Sequence, residues 1–413
     1  MGDRNAFFKK LFLGDLYIWM VIATLLAISL IEVYSSIQAM STVRNGDYNG
    51  QFYRHIVMEL SGLAITLTVV QLGVKRLLSS NLTFILLVVA ILSWFMLLLT
   101  PKFGDLVNGA RRTMFGIQWA EIVKVFYVVF LAFWRGRYSS DKGLSPTKKG
   151  WGMLCALYFL WVVPIGLENM SGMILLTAVT FCLLLAGGIR LKPFLWIIGM
   201  FLALGLIVGT IGTVFTSEQL KGTPLHRVPT WVSRVESSFL GDKAEDDPNL
   251  KFVVTDDNYQ VSHAKMAVAN SNGIGKGVAS GRERFRLPQA FSDYIFSIIL
   301  EELGLFVGLL VIFSYLCVLW RAIVIAYKSG SMVYAMLSLA CALLIVFQAV
   351  INMSVGVALG DFVTGQPLPF VSKGGTSIWM TGVLFGIILS VSVHAKTLQN
   401  KKKETQLVVE ESE

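Results

Sequence analysis

The chain has 413 residues, of which 55% are hydrophobic and only 15% charged, where a soluble domain carries about a quarter charged residues. A set of soluble domains is therefore excluded. The net charge of +9 sits mostly in short segments between apolar runs, which is the pattern of membrane topology and anionic headgroups and not of a nucleic-acid binder.

A helix needs about 20 mostly apolar residues to cross a bilayer. Runs near 16–36, 56–73, 82–100, 117–134, 151–167, 171–188, 193–215, 294–320, 333–357 and 375–394 are long enough. They predict an all-α polytopic membrane protein of about ten transmembrane helices, forming one domain over 1–395. The first run is too long for a signal-peptide core and lacks a small-residue cleavage site, so it stays as a span. Only Glu168-Asn169 separates the fifth run from the sixth, so nine spans also fit. One large loop, about 216–292, lies between the seventh and eighth. Lysine and arginine alternate in density along the short loops, richest at Arg4, Lys9 and Lys10, at Lys75 and Arg76, from Arg135 to Lys149, at Arg190 and Lys192, at Arg321 and Lys328, and from Lys396 to Lys403. This places both ends in the cytoplasm and the large loop outside the cell membrane. The tail 396–413 is basic, then acidic, without apolar periodicity, and is expected to be disordered. Cys155, Cys182, Cys317 and Cys341 all fall inside apolar runs without paired spacing, so no disulfide framework or zinc site is expected.

Several residues break this pattern. Glu59 is acidic inside the second run, with no partner legible. Arg111 and Arg112, in Asn108-Gly-Ala-Arg-Arg-Thr113, put positive charge outside, against the topology rule. They are either solvated loop arginines or an anion site, since guanidinium forks grip phosphate. Glu121 and Lys124 lie three apart on one helix face and are expected to pair, because an isolated mid-bilayer charge costs about 3 kcal/mol or more. Asp293, at the outer mouth of the eighth run, is either a helix cap or an acid made more basic by partial burial. Glu301 and Glu302 follow two turns later and are expected to point into the same cavity. In Gly365-Gln-Pro-Leu-Pro-Phe-Val-Ser-Lys-Gly-Gly-Thr-Ser377, a rigid turn leads into the last span. Helix N-terminal amides at Gly374 and Gly375 favour anions, and Ser372 and Lys373 stand beside them. Topology puts Arg111, Arg112, Asp293 and Lys373 on one side, where cations and a lone acid suit a lipid-linked phosphate. The Gly-rich stretch Asn272 to Gly277 is not a dinucleotide fingerprint, and flexible coverage of a groove is expected of the loop. His226 and His263 lack metal-ligand spacing.

The ordered blocks Gly109-Ala-Arg-Arg112 with Ile117-Gln-Trp-Ala-Glu-Ile-Val-Lys124, Arg234 to Leu240, Asn272 to Gly277, Leu287-Pro288 through Glu301-Glu-Leu-Gly304, and Gln366 to Ser377 resemble the SEDS family (shape, elongation, division and sporulation). This family comprises the polytopic peptidoglycan glycosyltransferases typified by FtsW and RodA. The resemblance covers nearly the whole chain. It implies ten helices and a reaction at the outer leaflet that joins lipid II to a growing glycan strand. It further implies that Asp293 is the catalytic acid–base group. Arg111, Arg112, Ser372, Lys373, Gly374 and Gly375 are expected to bind substrate, supported by Glu121, Lys124, Arg234, Glu301 and Glu302. The partners implied are a class B penicillin-binding protein, other divisome proteins and membrane lipids, with no nucleic acid. No metal site is assigned among the residues and the resemblance fixes no cofactor; a divalent cation stays open. The sequence departs from the family at Thr113, at Glu168-Asn-Met-Ser-Gly172 and at Lys373, where a tyrosine is usual. The lysine form is closer to the division-type members, which points to the septum. A lipid II flippase, an elongation-type polymerase and an inactive scaffold remain the alternatives.

Overall fold

The computed structural model describes residues 11–188, 258–359 and 365–410, apart from 45–47, 108–109, 138–147 and Gln289, and only scattered positions between 189 and 257. Its helices are α1 (Leu16–Arg44), α2 (Tyr48–Leu77), α3 (Ser80–Phe103), α4 (Trp119–Arg137), α5 (Lys148–Glu168) and α6 (Met170–Ala186). There follow α7 (Tyr259–Ala269), α8 (Ile295–Lys328), α9 (Met332–Gly356) and α10 (Gly375–Glu410). Six of these, α1, α2, α3, α8, α9 and α10, are long and apolar enough to cross a membrane. The shorter α5 and α6 are also apolar, and α4 carries the charged residues Glu121, Lys124, Arg135 and Arg137. The fold is that of a polytopic helical membrane protein. The predicted span 193–215 is described at only about half of its positions, where Gly205–Val214 forms a short apolar helix; Arg234 and His226 lie outside the described residues.

Glu168-Asn169 is a true helix boundary. Asn169 has extended backbone and its side chain accepts from the Ser171 amide at 3.2 Å, which starts α6 as a new helix. Where lipid replaces water, helices associate through close packing of small residues. On α10, a Cβ added at Gly382 would lie 2.5 Å from the Gly62 carbonyl of α2. Thr66 Oγ1 donates to the carbonyls of both Gly62 and Gly382, at 3.0 and 3.1 Å.

Inside α8 the helix breaks at Gly304, whose φ is +86°. The break frees carbonyls on one side and amides on the other, and buried backbone groups need partners. The Gly-rich segment of the large loop supplies them. Lys276 and Gly277 amides donate to the Glu301 and Glu302 carbonyls at 3.0 and 2.9 Å, and the Leu305 amide donates to the Asn272 carbonyl at 2.9 Å. This part of the loop is therefore built into α8, unlike the flexible cover expected from its glycines. A Cβ at Gly304 would stand 2.4 Å from the Gly275 nitrogen. Gly304→Ala is expected to cost about 1–3 kcal/mol for the left-handed backbone and about 1–3 kcal/mol for the clash. The measurement is the thermal midpoint of purified protein.

Two further differences from the sequence reading stand out. The tail expected to be disordered continues α10 as helix to Glu410. A span already supplies the helix nucleus, propagation is cheap, and neither glycine nor proline interrupts Lys396 to Glu410. Between α3 and α4 the chain forms an antiparallel hairpin, β1 (Asp105–Val107) with β2 (Ala110–Thr113), that an all-α reading leaves out. Its signal was the Asn108-Gly109 dipeptide between them.

Candidate functional site

Asp293 lies in the turn just before α8 and is 5% exposed. Its Oδ1 accepts the Ser292 hydroxyl at 3.1 Å. Burial pushes its carboxyl up to about 6, against the lowering effects of that hydrogen bond and of the Arg112 guanidinium. At neutral pH such an acid is mostly ionised yet more basic than an exposed aspartate. That combination suits a general base.

Arg112 reaches this place from β2. Its guanidinium end lies where a Cβ at Gly365 would sit, so a side chain there would displace it. The buried Arg112 Nε has no hydrogen-bond partner among the described residues. Arg111 goes the other way, because successive strand residues point to opposite faces. Its Nη1 donates to the Lys102 and Gly104 carbonyls at 2.8 and 3.2 Å, capping the end of α3. Of the two arginines, only Arg112 is near enough to act electrostatically on the acid.

The segment 366–374 packs directly on the turn that carries Asp293. The Lys373 amide donates to the Phe291 carbonyl at 2.9 Å, and the Ser372 hydroxyl donates to the Ser292 carbonyl at 2.8 Å. The Lys373 ammonium stands 4.7 Å from the centre of the Phe291 ring and donates to Gln51 Oε1 at 2.7 Å. Burial, then the nearby charge of Arg54, lowers its pKa. Ser372 thus serves to anchor the segment, while Gly374 and Gly375 lead into the open N-terminus of α10. Gln51 and Arg54, both on α2, are the neighbours that sequence reasoning missed. The available signal was the outer basic residue Arg54 at the head of a predicted span.

Glu121 and Lys124 pair as expected, at 2.7 Å, and both are buried. Lys124 Nζ also donates to Gln366 Oε1 at 2.9 Å, and Gln366 Nε2 donates to the Ser171 hydroxyl at 3.2 Å. The pair therefore ties α4 and α6 to the base of the 366–374 segment. Glu301 and Glu302 do not share the Asp293 pocket. Glu301 accepts Lys276 Nζ at 3.1 Å and the Arg282 and Glu283 amides at 3.0 and 3.1 Å. Glu302 accepts the Ala279 and Gly281 amides at 2.7 and 3.2 Å. Both carboxylates turn into the large loop because its amides need acceptors there. Glu59 has His55 Nε2 for a neighbour, at 3.1 Å. His263 Nδ1 lies 2.6 Å from Glu283 Oε2. Among the described residues no group of three or more His, Cys, Asp or Glu is placed to hold a metal ion.

Comparison with known proteins agrees with this architecture. The model of the family FtsW/RodA/SpoVE, described as cell cycle protein, matches residues 15–397. A protein of Coxiella burnetii named "Probable peptidoglycan glycosyltransferase FtsW" is 27% identical over 390 residues, covering 91% of this chain and 95% of that protein. A protein of the same name from Alcanivorax borkumensis is 27% identical over 397 residues, covering 92% and 94%. Among solved structures, a chain of a peptidoglycan synthase complex superposes with a TM-score of 0.66 at 19% identity, over 92% of this chain and 97% of that one. The rod shape determining protein RodA of Thermus thermophilus does so with a TM-score of 0.58 at 19% identity, over 92% and 96%. The fold is shared with both, and with a family model spanning nearly its whole length this chain belongs to the FtsW/RodA/SpoVE family of cell cycle proteins.

Proposed function

We propose that the chain is an inverting peptidoglycan glycosyltransferase that polymerises lipid II into glycan strands at the outer leaflet. The observation that carries this reading is one buried carboxylate, Asp293, within electrostatic reach of Arg112 and on a turn held by the backbone of Lys373. In the reaction, Asp293 takes the proton of the acceptor sugar hydroxyl as that oxygen attacks the donor's anomeric carbon. The bond to the lipid pyrophosphate breaks on the opposite side; inverting glycosidases add an acid to protonate a poor leaving group, but pyrophosphate leaves as an anion, so a single base suffices. Arg112 and Lys373 stabilise the charge that develops on the leaving pyrophosphate. Septal synthesis is favoured by the FtsW name of the relatives and by Lys373. The partner is a class B penicillin-binding protein with other divisome proteins, and both ends of the chain are cytoplasmic.

Purified protein given lipid II and its transpeptidase partner is expected to produce glycan polymer, with magnesium or manganese tested in parallel. Lipid II translocation in vesicles without any polymer would identify a flippase. Neither polymer nor translocation under any ion condition would leave a scaffold.

A further inference from the structure

Three consecutive carbonyls in the turn that bears Asp293 are all held from outside it. Phe291 O accepts the Lys373 amide at 2.9 Å, and Ser292 O accepts the Ser372 hydroxyl at 2.8 Å. The third holder comes from α9. Asn352, which is 0% exposed, donates through Nδ2 to Ser292 O and Asp293 O, both at 3.3 Å, and to Gln366 O at 2.8 Å. All three partners are carbonyls, which only accept, so the amide nitrogen must face them. One buried side chain therefore joins the acid-bearing turn to the start of the 366–374 segment.

We propose that Asn352 is a positioning residue, which fixes the Asp293 backbone against the 366–374 segment and so sets the reach and reactivity of its carboxyl. This rests on the assignment of Asp293 as the base. With its carbonyl held by Asn352, the Asp293 backbone is fixed in place, and with it the point from which the buried carboxyl extends. The charged group that acts on it is Arg112 from β2; the Lys373 ammonium of the 366–374 segment is directed to the Phe291 ring and Gln51. The Glu121–Lys124 pair of α4 connects to Gln366 from below. From α9 the groups directed at this region are neutral amides. One turn earlier, Gln348 donates to the Pro367 carbonyl at 3.1 Å and has no bond to the Asp293 turn. It is the matched control: the same chemistry on the same helix, acting on the segment alone.

The test is the pH dependence of kcat and KM for lipid II polymerisation by the full-length protein with its partner. Asn352→Leu is expected to lower kcat about a hundredfold with KM within about threefold, since small displacements of a reacting group cost this much. Its acid limb should move below the native value of about 6 as water reaches the carboxyl. Gln348→Leu should lower the thermal midpoint but leave the limb in place. Asn352→Asp keeps the shape, puts a like charge beside Asp293 and should move the limb upwards; it carries the test if the leucine variant does not fold. Folded Asn352 variants with the native limb and native kcat would overturn the proposal. A native protein without an acid limb, or polymerisation retained by Asp293→Asn, would instead overturn the assignment of the base.

Discussion

Replacing Asp293 with asparagine is expected to slow lipid II polymerisation by about two to four orders of magnitude, the usual contribution of a general base. Lipid II binding should survive, because the cations Arg112 and Lys373 are untouched. The fold should survive too. An asparagine Oδ1 still accepts the Ser292 hydroxyl, and a neutral side chain avoids the cost of burying charge at this site. For a carboxyl with its folded pKa raised from 3.8 to about 6, the folded state holds its proton more tightly than the unfolded one. This favours folding fully below the unfolded pKa, and the benefit is lost as pH rises through about 6. Activity has the opposite sign: the base form is needed, so kcat should climb with pH through the same range. An activity profile that rises while stability falls would separate the chemistry from unfolding. Polymer formed at the native rate by the folded asparagine variant would remove Asp293 from the mechanism.

The second large effect is structural. Glu302→Ala removes the acceptor of the Ala279 and Gly281 amides and of the Ser35 hydroxyl, which donates to its Oε2 at 2.7 Å. It also removes a carboxylate 3.6 Å from the Arg284 guanidinium, at a site where Glu302 is 0% exposed. Leaving a buried arginine without its counter-charge costs about 3–5 kcal/mol. The loss should appear first in the large loop, as faster proteolytic cleavage between residues 272 and 286 at temperatures where the spans stay folded. Arg286 is the control, because its side chain is 54% exposed where it meets Glu283 at 3.4 Å. Arg286→Ala should cost less than about 1 kcal/mol. Equal midpoints and cleavage rates for the two variants would show that the buried anchor contributes nothing.

Much of the architecture was legible without coordinates, because lipid imposes a simple rule on sequence: each crossing must be apolar and about 20 residues long. The starts of α1 and α8, both ends of α3 and α9, the break at Asn169 and the Glu121–Lys124 pair all follow from residues close together in the chain, whereas α1 and α8 run on beyond their apolar stretches. So do the ordered motifs on which the family rests. The roles of Arg111, Glu301 and Glu302 did not follow. Two adjacent arginines read alike in sequence, yet strand alternation sends Arg112 towards Gly365, within electrostatic reach of Asp293, and Arg111 to the end of α3. Likewise, two acids one helical stretch beyond Asp293 serve amides of a loop some 20 residues away, at Ala279, Gly281, Arg282 and Glu283. Hydropathy determines which segments enter the membrane, since transfer free energy depends on composition summed along a segment. Which buried polar groups meet depends on how separate segments pack, since a hydrogen bond is decided by a few ångströms between atoms far apart in sequence, and only the tertiary structure sets those distances.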